Sequence, residues 1–595
     1  MKTKSISRRH FLKLTSRGIG LAVVSNGLIA CTDTNTESLA PTPISVEFQH
    51  GVASGDPTQE AVILWTRVTP TEEGYTGEVL VRWEVATDKA FTDLVTNGAA
   101  RVSGATDYTL KVDAINLTSG TTYYYRFIAE GVTSSVGTTR TLPEVDVESV
   151  TLAVMSCSNY PAGHFNVYDM AAKKPNLDAV LHLGDYIYEY GPEDSAAGDA
   201  EKLGRVANPA HEIITLTDYR TRYAQYRTDE SLQTLHATVP FIVVWDDHEV
   251  ANDTWLEGAG NHQEEEGSFE QRKLAALQAY FEWLPIRPVV EGDNEIIHRK
   301  FRFGQLVDLY MLDTRVVARA QQLNYGTYLN ETTGEIDIDQ LNADLYREDR
   351  ALLGSDQLSW LHDEMSVATA TWQVLGQQIL MGRMSIPAAI ATRQMTIDMY
   401  AEFVALTVLK KRAEIGYPPL TDEEQAHLDE NEHRLTDRVL TLLQAPHVPY
   451  NLDAWDGYAY EREVVLSMAK KLSKNFVVLA GDTHNAWAND LKDSHGDLVG
   501  VEFASASVTS PGLESYLSIA PEDVVPTEEW IVNTVDDLKY ANANNRGFMT
   551  VTFTPEKVSS IWNFVDTIGS TDYKELEERR QCAESLAHNP GIQLT

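Results

Sequence analysis

One pattern constrains this chain more than any other: short apolar runs that end abruptly on residues able to bind a metal ion. The fullest example is Asp178-Ala-Val-Leu-His-Leu-Gly-Asp-Tyr-Ile-Tyr-Glu-Tyr190. Val180, Leu181 and Leu183 make a buried strand, Gly184 stops it, and Asp185, Tyr186 and Tyr188 crowd its end. The pattern recurs. Val150–Cys157 ends on a thiol, and Phe241-Ile-Val-Val-Trp-Asp-Asp-His-Glu249 ends on carboxylates around an imidazole. Leu306–Arg315 ends on Asp313 and Arg315, Trp372–Gln378 on two amides, and Phe476–His484 on Asp482 and His484. Apolar strands alternating with amphipathic helices imply an α/β or α+β arrangement. Open sheets of that kind collect their sites at the carboxyl ends of strands, so these ends can converge although over 300 residues separate them.

Elsewhere the patterning differs. The N-terminus, 1–31, reads as a targeting segment: Arg8-Arg9 precede a short apolar run from Ile19 to Ile29, as in a twin-arginine export signal. Leu28-Ile-Ala-Cys31 is similar to a lipoprotein processing box, which would make Cys31 a lipidated membrane attachment point; the alternative is cleavage near Ala30 with Cys31 free. Residues 32–47 read as a tether. Between 48 and 143 short β-branched and aromatic strands separated by turns predict a seven-stranded sandwich of immunoglobulin or fibronectin-III type. A catalytic domain is expected over 148–570, interrupted at about 387–443 by a charged helical insertion able to cover the site. Gly547–Phe553 and Val558–Phe564 predict a hairpin completing that domain's second sheet, and 571–595 a polar, helix-like tail carrying Cys582. Three cysteines this far apart are no disulfide framework. With 48 Lys+Arg against 87 Asp+Glu, a formal charge of −39, the surface repels polyanions, and no nucleic-acid-binding surface is expected. A phosphate-bearing substrate would need a local cation.

The ordered set Leu183-Gly-Asp-Tyr-Ile-Tyr188, Trp245-Asp-Asp-His-Glu249, Leu312-Asp-Thr-Arg315, Trp455-Asp-Gly-Tyr458 and Gly481-Asp-Thr-His484 resembles the PhoD-like alkaline phosphatase/phosphodiesterase family, within the calcineurin-like metallophosphoesterases. Ser156-Cys157 and His50-Gly-Val-Ala-Ser-Gly-Asp-Pro57 match as well. The resemblance implies a two-layer β-sandwich flanked by helices behind the N-terminal β domain, and a centre of one Fe3+ and two Ca2+. Cys157, Asp185, Tyr188 and His484 would hold the iron, with Asp185 bridging, and thiolate binding asks for a low-pKa position at Cys157. Asp247 and Asp482, with Asn252 or Asp253, would offer oxygen to calcium, because all-oxygen sets suit hard cations; Zn2+ or Mn2+ is the alternative. Gln377 and Gln378 fall where another His is expected. The reaction implied is hydrolysis of a phosphate ester by a metal-held oxygen nucleophile attacking phosphorus. His248 would contact the phosphate and protonate the leaving oxygen, unless it is a structural donor to Asp246 or Glu249. Arg315 is a substrate-anchoring candidate or, equally, half of an internal ion pair with Asp313. The competing readings are a phospholipase D-type phosphodiesterase and a non-catalytic metal- or phosphate-binding lipoprotein.

Overall fold

The computed structural model describes residues 44–193, 199–330 and 332–595. The twin-arginine segment and Cys31 lie outside the described residues. Among those described, no helix is long and apolar enough to cross a membrane.

The apolar runs do become strands. Val150–Met155, Ala179–His182 and Phe241–Val243 lie side by side in parallel, as do Val307–Met311, Trp372–Gly376, Asn475–Ala480 and Leu498–Ala504 in a second sheet. Both sheets are buried, which is why their strands read as continuous apolar runs rather than alternations. Val154, Leu181 and Ile242 of one and Leu309, Val374 and Val477 of the other share a single core. Helices Gly354–Val367 and Ala459–Lys471 contribute Leu361, Met365, Val465 and Leu466 to a further core with Tyr310, Leu375 and Val478 of the second sheet. The fold is mixed α/β, with its ligand-type residues just beyond parallel strand ends.

Three expectations need correcting. The hairpin Arg546–Phe553/Lys557–Val565 pairs with Val150–Met155 and so extends the first sheet, not the second. The C-terminus is not helix-like: Gln581–Leu586 and Asn589–Leu594 add two more strands there, with Cys582 in register with Ile561. The sequence 581–586 alternates buried Ala583 and Ser585 with more exposed neighbours, a period-two pattern masked by its polarity. At the other end the tether stops early, since Val46–Glu47 already pairs with Thr69–Pro70.

The N-terminal unit differs from a sandwich closed on itself. A five-stranded sheet, including Val79–Ala86 and Thr122–Ala129, packs Trp83, Tyr125 and Phe127 against Val62, Leu64 and Val112. The strands carrying those last three residues, with Val52–Gly55, belong to the same ten-stranded sheet as Val150–Met155, Ala179–His182 and Phe241–Val243. The join is made at Gly55, opposite Phe241. A Cβ at Gly55 would come within 2.3 Å of the Pro285 carbonyl and 2.7 Å of that of Phe241, so only glycine permits the approach. Beside it buried Asp56 accepts two bonds from the Arg299 guanidinium, at 2.7 and 2.9 Å.

The predicted insertion is helical, with Ala388–Ala391, Ile397–Ile415, Asp422–Asn431 and Asp437–Leu443. Ala389, Met395, Phe403, Leu406, Leu435 and Leu442 give it a small core of its own.

Candidate metal centre

The ligand-type residues sit on sharp turns, not on the strands themselves. Cys157, Asp185, Asp482 and His484 all have left-handed backbone, with φ of 62°, 54°, 63° and 64°. Such non-glycine conformations cost on the order of 1–3 kcal/mol each and persist only where the surroundings impose them. At Asp185 the imposition is visible. Gly184 (φ 104°) lies so close to Asp246 that a Cβ would meet its Cβ at 2.4 Å. The buried Glu249 carboxylate accepts from the backbone N–H of Asp185, Tyr186 and Asp246, tying two strand ends together.

Two clusters result, and Asp185 belongs to both. Cys157 Sγ, an Asp185 oxygen and a His484 ring nitrogen lie within 4.8 Å of one another, and so do ligand atoms of Asp185, Asp247 and His248. The Tyr188 hydroxyl donates to Asp185 Oδ2 at 3.0 Å and lies 3.2 Å from His484 Nε2. His484 Nδ1 is 2.6 Å from the Pro511 carbonyl, which places the ring proton there and leaves Nε2 a lone pair. Asp185 Oδ1 and Asp246 Oδ2 are buried with no hydrogen-bond partner among the described residues. A buried unpaired carboxylate oxygen is costly, and a cation is its natural partner.

The electrostatics agree. Burial, then neighbouring carboxylates, push Asp185 and Asp482 well above the usual carboxylate range and Asp246 to about 6. Asp247 goes the other way, to about 2, because Arg315 and His248 outweigh its burial. The protein alone does not supply the low-pKa position expected at Cys157: burial and then the Asp185 charge push the thiol up. Only a bound cation would reverse that, as metal binding displaces protons from its ligands.

On the oxygen-rich side Asp247 accepts from the backbone N–H of Asp253 and His248, at 2.6 and 2.9 Å. Asn252 lines the cavity, with its backbone N–H bound to Glu189. Asp482 does not join the Asp185 clusters; one of its oxygens accepts from Arg315 Nη2 at 3.0 Å. Arg315 is wholly buried and committed, donating also to Asp246 at 2.5 Å and Asp453 at 2.9 Å. Its guanidinium therefore faces carboxylates, not the cavity, and the ion-pair alternative holds with different partners from Asp313. Asp313 instead accepts from Trp245 Nε1 and three backbone N–H groups of the following turn. The amides at the missing-His position are tied up as well: Gln378 bridges Thr314 and the Trp245 carbonyl, and Gln377 accepts from Trp455 Nε1.

His248 bonds to neither Asp246 nor Glu249. Its Nδ1 lies 2.6 Å from Glu189, a fully buried carboxylate that also accepts from Asn252 N–H and Asn261 Nδ2. Burial opposes charge on the ring, yet Glu189, Asp185 and Asp247 together hold its pKa well above the ordinary value. Glu189 and Asp453 are the residues that sequence reasoning missed. Glu189 lies inside the most informative stretch, immediately after Tyr188, and that adjacency was the only available signal.

The clusters open into a cavity of about 540 Å3. Asp185, Asp247, His248, Asp482 and His484 form its floor, and residues of the insertion and of 513–531 form much of its wall. The arrangement can bind cations beneath an anionic substrate and can deliver a proton from His248.

Comparison with known proteins agrees with this geometry. Residues 152–562 match the family model for PhoD-like phosphatase, and 34–143 that for the PhoD-like phosphatase N-terminal domain. The chain is 32% identical over 529 residues to alkaline phosphatase D of Bacillus subtilis (strain 168), covering 86% of this chain and 77% of that protein. A solved structure of PhoD superposes with a TM-score of 0.73 at 30% identity, covering 93% of each chain.

Proposed function

Because the chain belongs to the PhoD-like phosphatase family and is a phosphoesterase, we propose that it is an exported hydrolase of phosphoric esters working with metal ions held around Asp185. The observation that carries this is the meeting of two ligand clusters at one carboxylate whose Oδ1 has no partner among the described residues. Cys157, Asp185, Tyr188 and His484 are the donors for ferric iron, and Asp247, Asn252 and Asp482 those for calcium, a thiolate–phenolate–imidazole half beside an oxygen half. When bound, the ions supply Lewis acidity towards the phosphoryl oxygens and the oxygen nucleophile. Arg315 is a positioning residue in this reading: it spaces Asp246, Asp453 and Asp482 and offsets part of their repulsion.

His248 supplies the proton. As the P–O bond to the leaving group breaks, the Nε2 proton passes to the departing oxygen, and the ring is left neutral with its Nδ1 proton still held by Glu189. The Glu189 carboxylate keeps the imidazole charged and oriented until then. Export through the twin-arginine machinery and anchoring through a lipidated Cys31 rest on the N-terminal sequence. The N-terminal unit is read as an immunoglobulin- or fibronectin-III-like sandwich merged with the catalytic sheet.

The test is elemental analysis of the exported protein together with hydrolysis of aryl phosphate monoesters and diesters. Iron and calcium are expected, with both iron and activity lost in Asp185→Asn. Zinc alone with no calcium dependence, or an active Asp185→Asn enzyme, would overturn the assignment.

A further inference from the structure

One wall of the cavity is not explained by metal binding or by phosphate. Ile386 and Ile390 reach it from the start of the insertion, Tyr450 from the segment after it, and Tyr516, Leu517 and Trp530 from beyond the last metal-ligand strand. Chain positions as far apart as Ile386 and Trp530 thus converge on a single apolar surface beside a floor of carboxylates. Ile386 and Ile390 are the edge of a buried core and need no further account. Tyr516 and Leu517 are different, being 64% and 41% exposed at the cavity. Tyr516 also stacks over His484, with ring centroids 6.3 Å apart and planes 27° from parallel. It therefore stands directly beside the reacting centre with much of its ring facing open space. Exposed apolar side chains that line a cavity next to a reactive floor are the usual signature of a ligand's own apolar surface.

We propose that this wall is the leaving-group subsite, and that the enzyme prefers phosphate esters whose leaving group is an extended apolar body, aliphatic or aromatic, over small polar esters. The inference rests on the phosphoesterase reading of the floor. With the phosphoryl group over Asp185, Asp247 and His248, the departing alcohol lies along Tyr516 and Leu517 and covers them from water. In-line displacement places leaving group and nucleophile on opposite sides of phosphorus, so a wall that holds the leaving group stays clear of the attacking oxygen.

Primary alkyl phosphates test this directly, because lengthening the chain from methyl to octyl changes apolar area but hardly changes leaving-group chemistry. They are run as monoesters and as methyl diesters with the metal-loaded enzyme. We expect kcat/KM to rise about two- to four-fold per methylene over the first several carbons, the effect of burying one such group, and glycerol phosphate to fall below butyl phosphate. Tyr516→Ser with Leu517→Ser should flatten the slope, and Tyr516→Phe should restore it in part; both positions are exposed, so folding is not at stake. A flat slope in the unmodified enzyme, or the same slope in the double variant, overturns the subsite while methyl and aryl phosphate hydrolysis persists. Failure to hydrolyse any ester with iron and calcium supplied overturns the phosphoesterase reading itself.

Discussion

Acidification should weaken the seam between the two units by an amount that can be worked out from His50. This ring is 3% exposed, edge-on to Trp283 at 5.1 Å, with its Nδ1 unpartnered and its own carbonyl accepting from Arg227. Burial, then the charges of Arg67 and Arg227, lower its pKa from 6.5 to about 3. A histidine with a depressed folded pKa contributes stability that is present above its unfolded pKa and lost as pH falls towards the folded one. At pH 5 the unfolded chain has taken up the proton and the folded one has not, which costs about 2 kcal/mol relative to pH 7.5 at 1.36 kcal/mol per pH unit. His50→Gln removes the titrating ring. The variant should be less stable than the parent at pH 7.5 through lost packing, and the gap should close by about 2 kcal/mol at pH 5, about 2 °C of apparent melting temperature for a chain of this size. Differential scanning calorimetry of both proteins across that range reads the gap, and effects of acid on metal ligands or on His182 are common to both and cancel. A gap that stays constant or widens on acidification would refute the linkage argument.

Glu189→Gln keeps a hydrogen-bonding group against His248 Nδ1 but removes its charge. It should lower kcat by about 10- to 100-fold, as loss of an orienting partner commonly does, while iron content measured by elemental analysis stays the same; unchanged turnover would return His248 to a structural role. If Cys31 is the lipid anchor, Cys31→Ala should move the protein from the membrane to the soluble fraction on fractionation, and persistent membrane association would remove the lipid-anchor reading.

Much of the site was legible because its signal is local. An apolar run ending on Gly184-Asp185 or Gly481-Asp482 reads the same in one dimension as in three, and parallel pairing within each sheet, with the packing of the two sheets on one core, then brings the ends together. What was not legible depends on distance along the chain. Glu189 acquires its role from His248, 59 positions away, and Arg315 from Asp453 and Asp482, 138 and 167 positions away. Beside Asp313 in sequence, Arg315 looks like its partner; in space Asp313 is spent on backbone N–H groups. The C-terminal strands escaped notice because their alternation is carried by polar residues such as Ser585 and Glu584. The merged sheet rests on one glycine contact that no periodicity announces.

That merged sheet bears on the order in which the molecule can assemble. Strand Val52–Gly55 leaves the ribosome early, yet the edge it docks on, Phe241–Val243, follows roughly 190 residues later, a separation that favours slow, late pairing. The Asp56–Arg299 pair waits longer still. The N-terminal layer therefore cannot close until Phe241–Val243 has been made, although it is itself made first, and until then that edge of the sheet is bare and open to wrong partners. A chaperone that guards the incompletely folded chain would find its task there.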